Sequence, residues 1–475
     1  MNVCVLSAGP IFQNYVHGGS QKILRNILLG LSSSDKVTVL CVARRDLEPF
    51  KINENIKVLP VLTYRETYPN PLNTSPLRIA NLSAMVYKYT RNADVIYNHD
   101  SQMIFRVNTR GIPSVISCRD VIYPETIVGL LVNQEDSIIV NSAYAEACII
   151  ALLKRQKMSG KVRIRKIENG IDIEHFYPIS DNFKSDLFPQ VYPKDFYLII
   201  SPGRAEVSKG HHEALELLGM LTGAGLPKPV FLGIPRYIDI NIDTELKHYY
   251  NKLEAHAKEL GIWDNIIFHD WMPYEQMPKL YAAADLVLGL GSYPECFGNT
   301  YLEAVCCGTP CVIASVGANR IIPPGESIAR VDYGDIAGAA QISEEYLLGR
   351  RQIHTEEIRR TVYERFGFDR MITEYVDSIH RTAAREPIGK EYSLNNSHHD
   401  ALSISPWIVL GKSRLFHDYD TNYITDAKIV DLANFVALKQ PRWDECIAKG
   451  FSANLLEKAY KLGVIEKYPG LRQDL

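Results

Sequence analysis

Short apolar runs rich in β-branched residues alternate with stretches of helical period from residue 2 to residue 331, and this alternation constrains the fold more than any other feature of the chain. Strands are predicted at 2–7, 36–42, 57–60, 95–98, 114–117, 137–141 and 162–167, then at 196–201, 230–233, 266–269, 286–290, 311–315 and 328–331. Between the first two, a helix over 20–31 sets Ile23, Leu24, Ile27, Leu28 and Leu31 on one face. Strands that alternate with helices build a doubly wound parallel sheet, and two such units open a cleft at the carboxyl ends of their strands. The expected fold class is therefore α/β, with two Rossmann-like domains facing a cleft. At 475 residues and 46% hydrophobic composition, the chain can fill two or three cores.

The expected domains are 1–180, 181–385 with two final helices broken near Gly367, a linker over 386–405, and a small α+β module over 406–475. The linker has no apolar period, and its His398, His399 and Asp400 read as solvated side chains rather than metal ligands. The module reads as a hairpin (407–410 and 414–417) with helices over 426–438 and 452–462, an outline compatible with a winged helix. A capping or dimerising extension is the plainer reading, so the module is expected to be dispensable for chemistry, and an oligomer stays open.

A net charge of −3 gives no electrostatic case for nucleic acid as a partner. Nine cysteines, odd in number and without paired C-x2-C units, suggest buried free thiols in a reducing, cytoplasmic setting. Met1-Asn2 leads directly into the first strand, so no targeting segment is expected, and no apolar run approaches membrane-spanning length. The basic cluster of Lys154, Arg155, Lys157, Lys161, Arg163, Arg165 and Lys166 reads as a solvated rim rather than a lipid-binding face.

Candidate chemistry concentrates in residues 292–310, where Glu295 and Glu303 stand eight apart around a predicted strand-to-helix turn. Gly298 offers the turn and Asn299 the N-cap of a helix over 300–307, which Gly308 stops and Pro310 forbids from continuing. Free backbone N–H groups at that helix start suit an anionic diphosphate. Glu303, about one turn into the helix, can accept hydrogen bonds from vicinal ribose hydroxyls, and Glu295 can reach hydroxyls of a sugar. Taken alone, either carboxylate reads better as an exposed acid. Arg204 and Lys209, on the loop after the 196–201 strand, are two permanent cations able to stabilise charge on a departing nucleoside diphosphate.

These segments occur in order with two others, Gly18-Gly19 within 16–20 and the Asn169-Gly170 segment over 167–178. Together they resemble the retaining glycosyltransferases of the GT-B fold, family 4 group, with Glu295 and Glu303 as its E-x7-E motif and 203–210 as its G-R-x4-K-G element. The resemblance covers residues 1 to 385 and leaves the C-terminal segment out. It implies transfer, with retention, of a hexose-type sugar from a nucleoside diphosphate, UDP favoured over GDP, to an acceptor hydroxyl held by the first domain. It further implies donor binding by Gly18, Gly19, Gly203, Arg204, Lys209, Glu295, Phe297, Gly298, Asn299, Thr300 and Glu303. Glu295, Arg204 and Lys209 would carry catalysis without a metal or other cofactor, and the last helix of the second domain would cross back to the first.

The sequence departs from this family at two loops. Arg119 stands where many members have histidine; it can hold an anionic group, and pairing with Asp120 or another acid is an equal alternative. Asp270 replaces a common glycine in the loop that touches the nucleotide base. His99, at a strand end, is a further catalytic candidate, although a structural histidine bonding its own loop is the better reading. The acceptor stays open among small molecules, glycans, lipid-linked compounds and peptides. Rival readings on the same fold are a sugar phosphorylase, a nucleotide-sugar epimerase and a non-enzymatic sugar-nucleotide sensor.

Overall fold

The computed structural model describes residues 1–13, 16, 18–44, 46–63, 75–108, 110–133, 137–156, 160–180, 183–237, 243–321, 327–394 and 401–467. His17, Lys157, His398, His399 and Asp400 lie outside them. The first half of the chain forms β1 (Asn2–Ser7), β2 (Lys36–Val42), β3 (Phe50–Lys51), β4 (Ile56–Leu62), β5 (Val95–His99), β6 (Ser114–Cys118), β7 (Ser137–Val140) and β8 (Lys161–Lys166). The second half forms β9 (Tyr197–Ile200), β10 (Val230–Arg236), β11 (Ile266–Asp270), β12 (Leu286–Gly289), β13 (Cys311–Ala314) and β14 (Ile328–Val331). Towards the C-terminus follow β15 (Lys390–Ser393), β16 (Leu402–Ile404), β17 (Ile408–Leu410), β18 (Leu415–His417), β19 (Asn422–Ile424) and β20 (Ile465–Lys467).

The first sheet runs β15-β8-β7-β6-β5-β1-β2-β4-β3, parallel except at its two edges, and the second runs β11-β10-β9-β12-β13-β14, parallel throughout. Helices cover both faces, which is why β5, β6, β7, β12 and β13 are buried at every residue. The strand order reverses between β5 and β1 in one sheet and between β9 and β12 in the other. Such reversals leave crevices beyond the strand ends, where ligands bind.

The helix Gly19–Leu31 buries the five residues its period selects, Ile23, Leu24, Ile27, Leu28 and Leu31. Against it lies the last helix of the second domain, Phe368–Ala383, whose Met371, Tyr375 and Ile379 are buried in the first domain's core. The crossing back to the first domain therefore rests on direct packing. A Cβ on Gly30 would come within 2.5 Å of Ile372, so a glycine is what lets the two helices approach.

Of residues 386–405, expected as a linker, the described 386–394 and 401–405 are built into the fold. Lys390–Ser393 pairs antiparallel with β8 as the ninth strand of the first sheet, the Tyr392 hydroxyl reaches Glu146 at 2.7 Å, and Ile388 and Leu394 are buried. An antiparallel edge strand with three exposed or half-exposed polar residues needs no apolar run, and so left no sign of itself. Beyond it, β17-β18-β19 make an antiparallel sheet and β16 pairs with β20, around the helices Ala427–Lys439, Trp443–Ala448 and Ala453–Lys461. The third strand, the β16–β20 pair and the middle helix are additions to the expected hairpin and two helices.

The C-terminal module shares one apolar cluster with both larger domains: Leu153, Leu280, Phe297, Trp407 and Leu432 all belong to it. At its centre the buried Asp418 accepts two guanidinium bonds from Arg320, each 3.0 Å, and one from the Tyr144 hydroxyl at 2.8 Å. Asp418 thus ties the module to the second domain and to the helix Ala143–Arg155 of the first. All nine cysteines are buried and free. No described helix is long and apolar enough to cross a membrane.

Candidate active site

A cavity of about 430 Å³ lies between the two large domains, at the carboxyl ends of both sheets. Its second-domain wall begins where β12 ends. The loop that follows carries Glu295 and Phe297 to Gly298, which adopts the left-handed conformation (φ 84°) and caps the helix Asn299–Cys306. The cap is Gly298 rather than Asn299, because this turn needs positive φ and a Cβ there would stand 3.0 Å from Asn319 Oδ1. Gly298, Asn299 and Thr300 line the cavity.

Glu303, one turn in, is 9% exposed and ion-paired with Lys22 of the first domain at 2.9 Å, while the Tyr281 hydroxyl reaches its other oxygen at 3.4 Å. Lys22 also sits 4.0 Å above the centre of the Tyr274 ring. Glu295 is ion-paired with Lys209 at 2.7 Å, and the same ammonium lies 3.3 Å above the Tyr293 ring centre. The two carboxylates and their lysines thus meet in one cavity through long-range packing, not sequence proximity.

The loop after β9 brings in the cations. Gly203, Arg204 and Lys209 line the cavity, and Gly210 (φ 87°) lies so close to the 290–298 loop that a Cβ there would come within 2.3 Å of the Gly291 nitrogen. Tyr293 N donates to the Ser208 carbonyl at 3.0 Å, binding the two loops into one surface. Arg204 pairs with Glu206 at 2.9 Å and reaches the Tyr123 hydroxyl of the first domain at 3.4 Å.

Gly18 and Gly19 line the first-domain side, and a Cβ on Gly19 would meet Asn299 Nδ2 at 3.8 Å. Asn169 Nδ2 donates to Asn299 Oδ1 at 3.0 Å, and the Tyr293 hydroxyl donates to Asp120. Burial pushes the Asp120 carboxyl up to about 6, against the Tyr293 bond, which favours its charged form. Arg119 lines the cavity but does not pair with Asp120. It donates to the Tyr375 hydroxyl at 3.0 Å and to Asn169 Oδ1 at 2.8 Å, with Asp100 Oδ1 3.8 Å from its Nε.

His99 does not belong to the cavity wall. It is fully buried beneath it, with Nε2 at 2.9 Å from the Ser20 hydroxyl and Nδ1 at 2.7 Å from that of Tyr97. Burial lowers its pKa to about 4, so at neutral pH it is an uncharged prop under the helix start at Gly19. Apart from His99, every catalytic or donor-binding candidate named from the sequence lines the cavity; Asp270 does not, although its neighbours His269 and Trp271 do. Sequence reasoning missed Lys22, Asp100, Asn169 and Tyr293 as site residues. Tyr293 and Asn169 lie inside the matching segments, whereas nothing local marks Lys22. Among the described residues, no three His, Cys, Asp or Glu side chains are grouped to hold a metal ion.

Two facing doubly wound domains joined by a crossing helix define the GT-B class of fold. Sucrose-phosphate synthase from Thermosynechococcus elongatus superposes with a TM-score of 0.65 at 17% identity, covering 81% of this chain and 100% of that one. Anabaena HepE in complex with UDP-glucose superposes at 0.61 with 20% identity, covering 80% and 99%. Residues 182–347 match the family described as glycosyl transferases group 1. Among curated relatives, D-inositol 3-phosphate glycosyltransferase of Mycolicibacterium smegmatis is 31% identical over 223 residues, which is 46% of each chain. Mannosylfructose-phosphate synthase of Agrobacterium fabrum is 29% identical over 154 residues, 32% of this chain and 33% of that one. The matched stretches span half or less of these relatives' length.

Proposed function

We propose that the protein is a retaining glycosyltransferase that moves a hexose-type sugar from a nucleoside diphosphate, UDP favoured over GDP, to an acceptor hydroxyl. The observation that carries this reading is the convergence of Glu295, Glu303, Arg204, Lys209 and the helix start at Asn299 on one interdomain cavity. The diphosphate lies against Arg204, Lys209 and the first N–H groups of that helix, whose positive potential grows in value as the glycosidic bond to phosphate breaks. Glu303 turns from Lys22 to the ribose hydroxyls, and Glu295 holds hydroxyls of the sugar. The acceptor oxygen bonds to the anomeric carbon on the face the phosphate leaves, and its proton passes to the departing diphosphate. Arg204 and Lys209 serve where a divalent ion would otherwise stand, so no metal or other cofactor enters. The nine buried free thiols favour the cytoplasm as its setting.

The test combines ligand binding with product stereochemistry. UDP is expected to raise the melting temperature more than GDP does, because a ligand that binds only the folded state stabilises it. Incubation with a UDP-sugar and an acceptor is expected to yield a glycoside with the donor's anomeric configuration in the presence of EDTA. Loss of turnover in EDTA that magnesium restores, phosphate-dependent cleavage of a disaccharide, or conversion of the donor sugar without an acceptor would each overturn the reading.

A further inference from the structure

The first-domain half of the cavity contains three buried polar atoms with no hydrogen-bond partner: Asp100 Oδ1, Arg119 Nε and Asn141 Oδ1. Their residues are 8%, 7% and 3% exposed and stand at the carboxyl ends of the adjacent strands β5, β6 and β7. The remaining atoms of each side chain are engaged. Asp100 Oδ2 accepts from the Ser20 hydroxyl, Asn141 Nδ2 donates to the Arg119 carbonyl at 3.1 Å, and the two terminal nitrogens of Arg119 go to Tyr375 and Asn169. Asp100 Oδ1 has only longer contacts, with His99 Nε2 at 3.6 Å and Arg119 Nε at 3.8 Å, so one atom of each side chain lacks a hydrogen bond, and a buried polar atom without one is costly unless a ligand completes it. Asp100 and Ser101 are also held at φ 66° and 52°, a left-handed pair of non-glycine residues. Backbone of that kind persists where the surrounding structure imposes it, commonly at ligand sites.

Resting on the glycosyltransferase reading above, we propose that Asp100, Arg119 and Asn141 form the acceptor subsite, and that it takes a neutral polyhydroxylated compound, a sugar or cyclitol, in preference to its phosphate monoester. The three open atoms are two acceptors and one donor. Hydroxyl groups both give and receive hydrogen bonds, so neighbouring hydroxyls on a ring satisfy all three. The phosphoryl group of a monoester replaces one of these hydroxyls with acceptor oxygens that carry negative charge. Of the three atoms it would find one N–H, on Arg119, with the Asp100 carboxylate 3.8 Å from that nitrogen. The subsite lies beside the β5–β1 reversal of strand order, where an open α/β sheet presents its crevice.

The experiment measures transfer from UDP-glucose or GDP-mannose, whichever nucleotide raises the melting temperature, to myo-inositol, glucose and fructose and to their monophosphates. Neutral acceptors are expected to exceed their phosphates in kcat/KM by about tenfold or more, the scale of one charge-assisted hydrogen bond gained or lost. Asp100→Asn, which retains a residue tolerant of positive φ, and Asn141→Ala are each expected to raise the acceptor KM by about tenfold. Their melting temperatures and UDP shifts report whether they fold and bind donor. Preference for the phosphates, no transfer to any neutral acceptor by a protein that binds the nucleotide, or an unchanged acceptor KM in folded variants would overturn the subsite. Failure of every nucleoside diphosphate to shift the melting temperature would instead remove the donor site on which the subsite rests.

Discussion

Lys209 and Lys22 each hold one of the two carboxylates in the cavity, at 2.7 Å and 2.9 Å, which fixes where Glu295 and Glu303 stand. The two pairs differ in what a donor requires of them. In the proposed reaction Lys209 and Arg204 share the loop that would face the diphosphate, so the Lys209 charge would count most when the leaving group departs. Removing it, or Arg204, as Lys209→Ala or Arg204→Ala is expected to lower transfer by roughly a hundredfold or more, chiefly through kcat. Steady-state kinetics with the UDP-sugar measure this, and normal turnover in both variants would place the diphosphate elsewhere. Ribose contacts persist from the bound ground state to the transition state, so Glu303→Ala is expected to raise the donor KM with a smaller effect on kcat. That variant also leaves the Lys22 ammonium without its carboxylate, and an unchanged donor KM would mean that Glu303 serves only Lys22.

At the scale of elements, the helix Asn299–Cys306 depends on the conformation of one residue before it. Gly298→Ala would place a side chain at φ 84° and 3.0 Å from Asn319 Oδ1. The left-handed conformation alone costs about 1–2 kcal/mol for a residue with a Cβ. The variant is expected to melt a few degrees lower and to bind UDP more weakly, and titration calorimetry beside a melting curve separates the two effects. Elements built from buried β-branched runs were legible: β1, β2 and β14 fall where their patterns place them, and the remaining expected strands are displaced by only a few residues at either end. What the sequence hid has physical causes. Lys390–Ser393 gains its place from pairing with β8 rather than from its own apolar content, and β16, β19 and β20 are three residues each, too short for a period to emerge. The acidic and basic members of the site were legible because they stand beside turns with strong local signals. Lys22, Asp100 and the Arg119–Tyr375 bond were not, since each acquires its role from a partner on a distant segment.

Across the whole molecule, the C-terminal module, expected to be dispensable for chemistry, is packed against both large domains rather than tethered to them. Trp407, Ile408, Leu415 and Leu432 are buried in the same cluster as Leu153, Leu280 and Phe297, so removing the module would expose apolar surface on both large domains. Polar contacts fix the same interface. Arg155 of the expected solvated rim binds Glu466 at 2.5 Å, and Arg163 and Lys161 bind Glu391, each at 2.6 Å. The strongest tie is Asp418, which is 0% exposed and whose two oxygens are held by Arg320 and Tyr144. Removing one member of a buried charge pair leaves the other uncompensated, at a cost of about 3–5 kcal/mol. Arg320→Ala is therefore expected to lower stability on that scale, read from denaturant unfolding, whereas Arg163→Ala at the exposed rim is expected to cost less than about 1 kcal/mol. Because Asp418 joins the second domain to the helix Ala143–Arg155 of the first, the Arg320 variant is also expected to bind donor more weakly, although neither residue lines the cavity. Equal stability of the Arg320 and Arg163 variants would mean that the module rests on the surface of the two domains without holding them together.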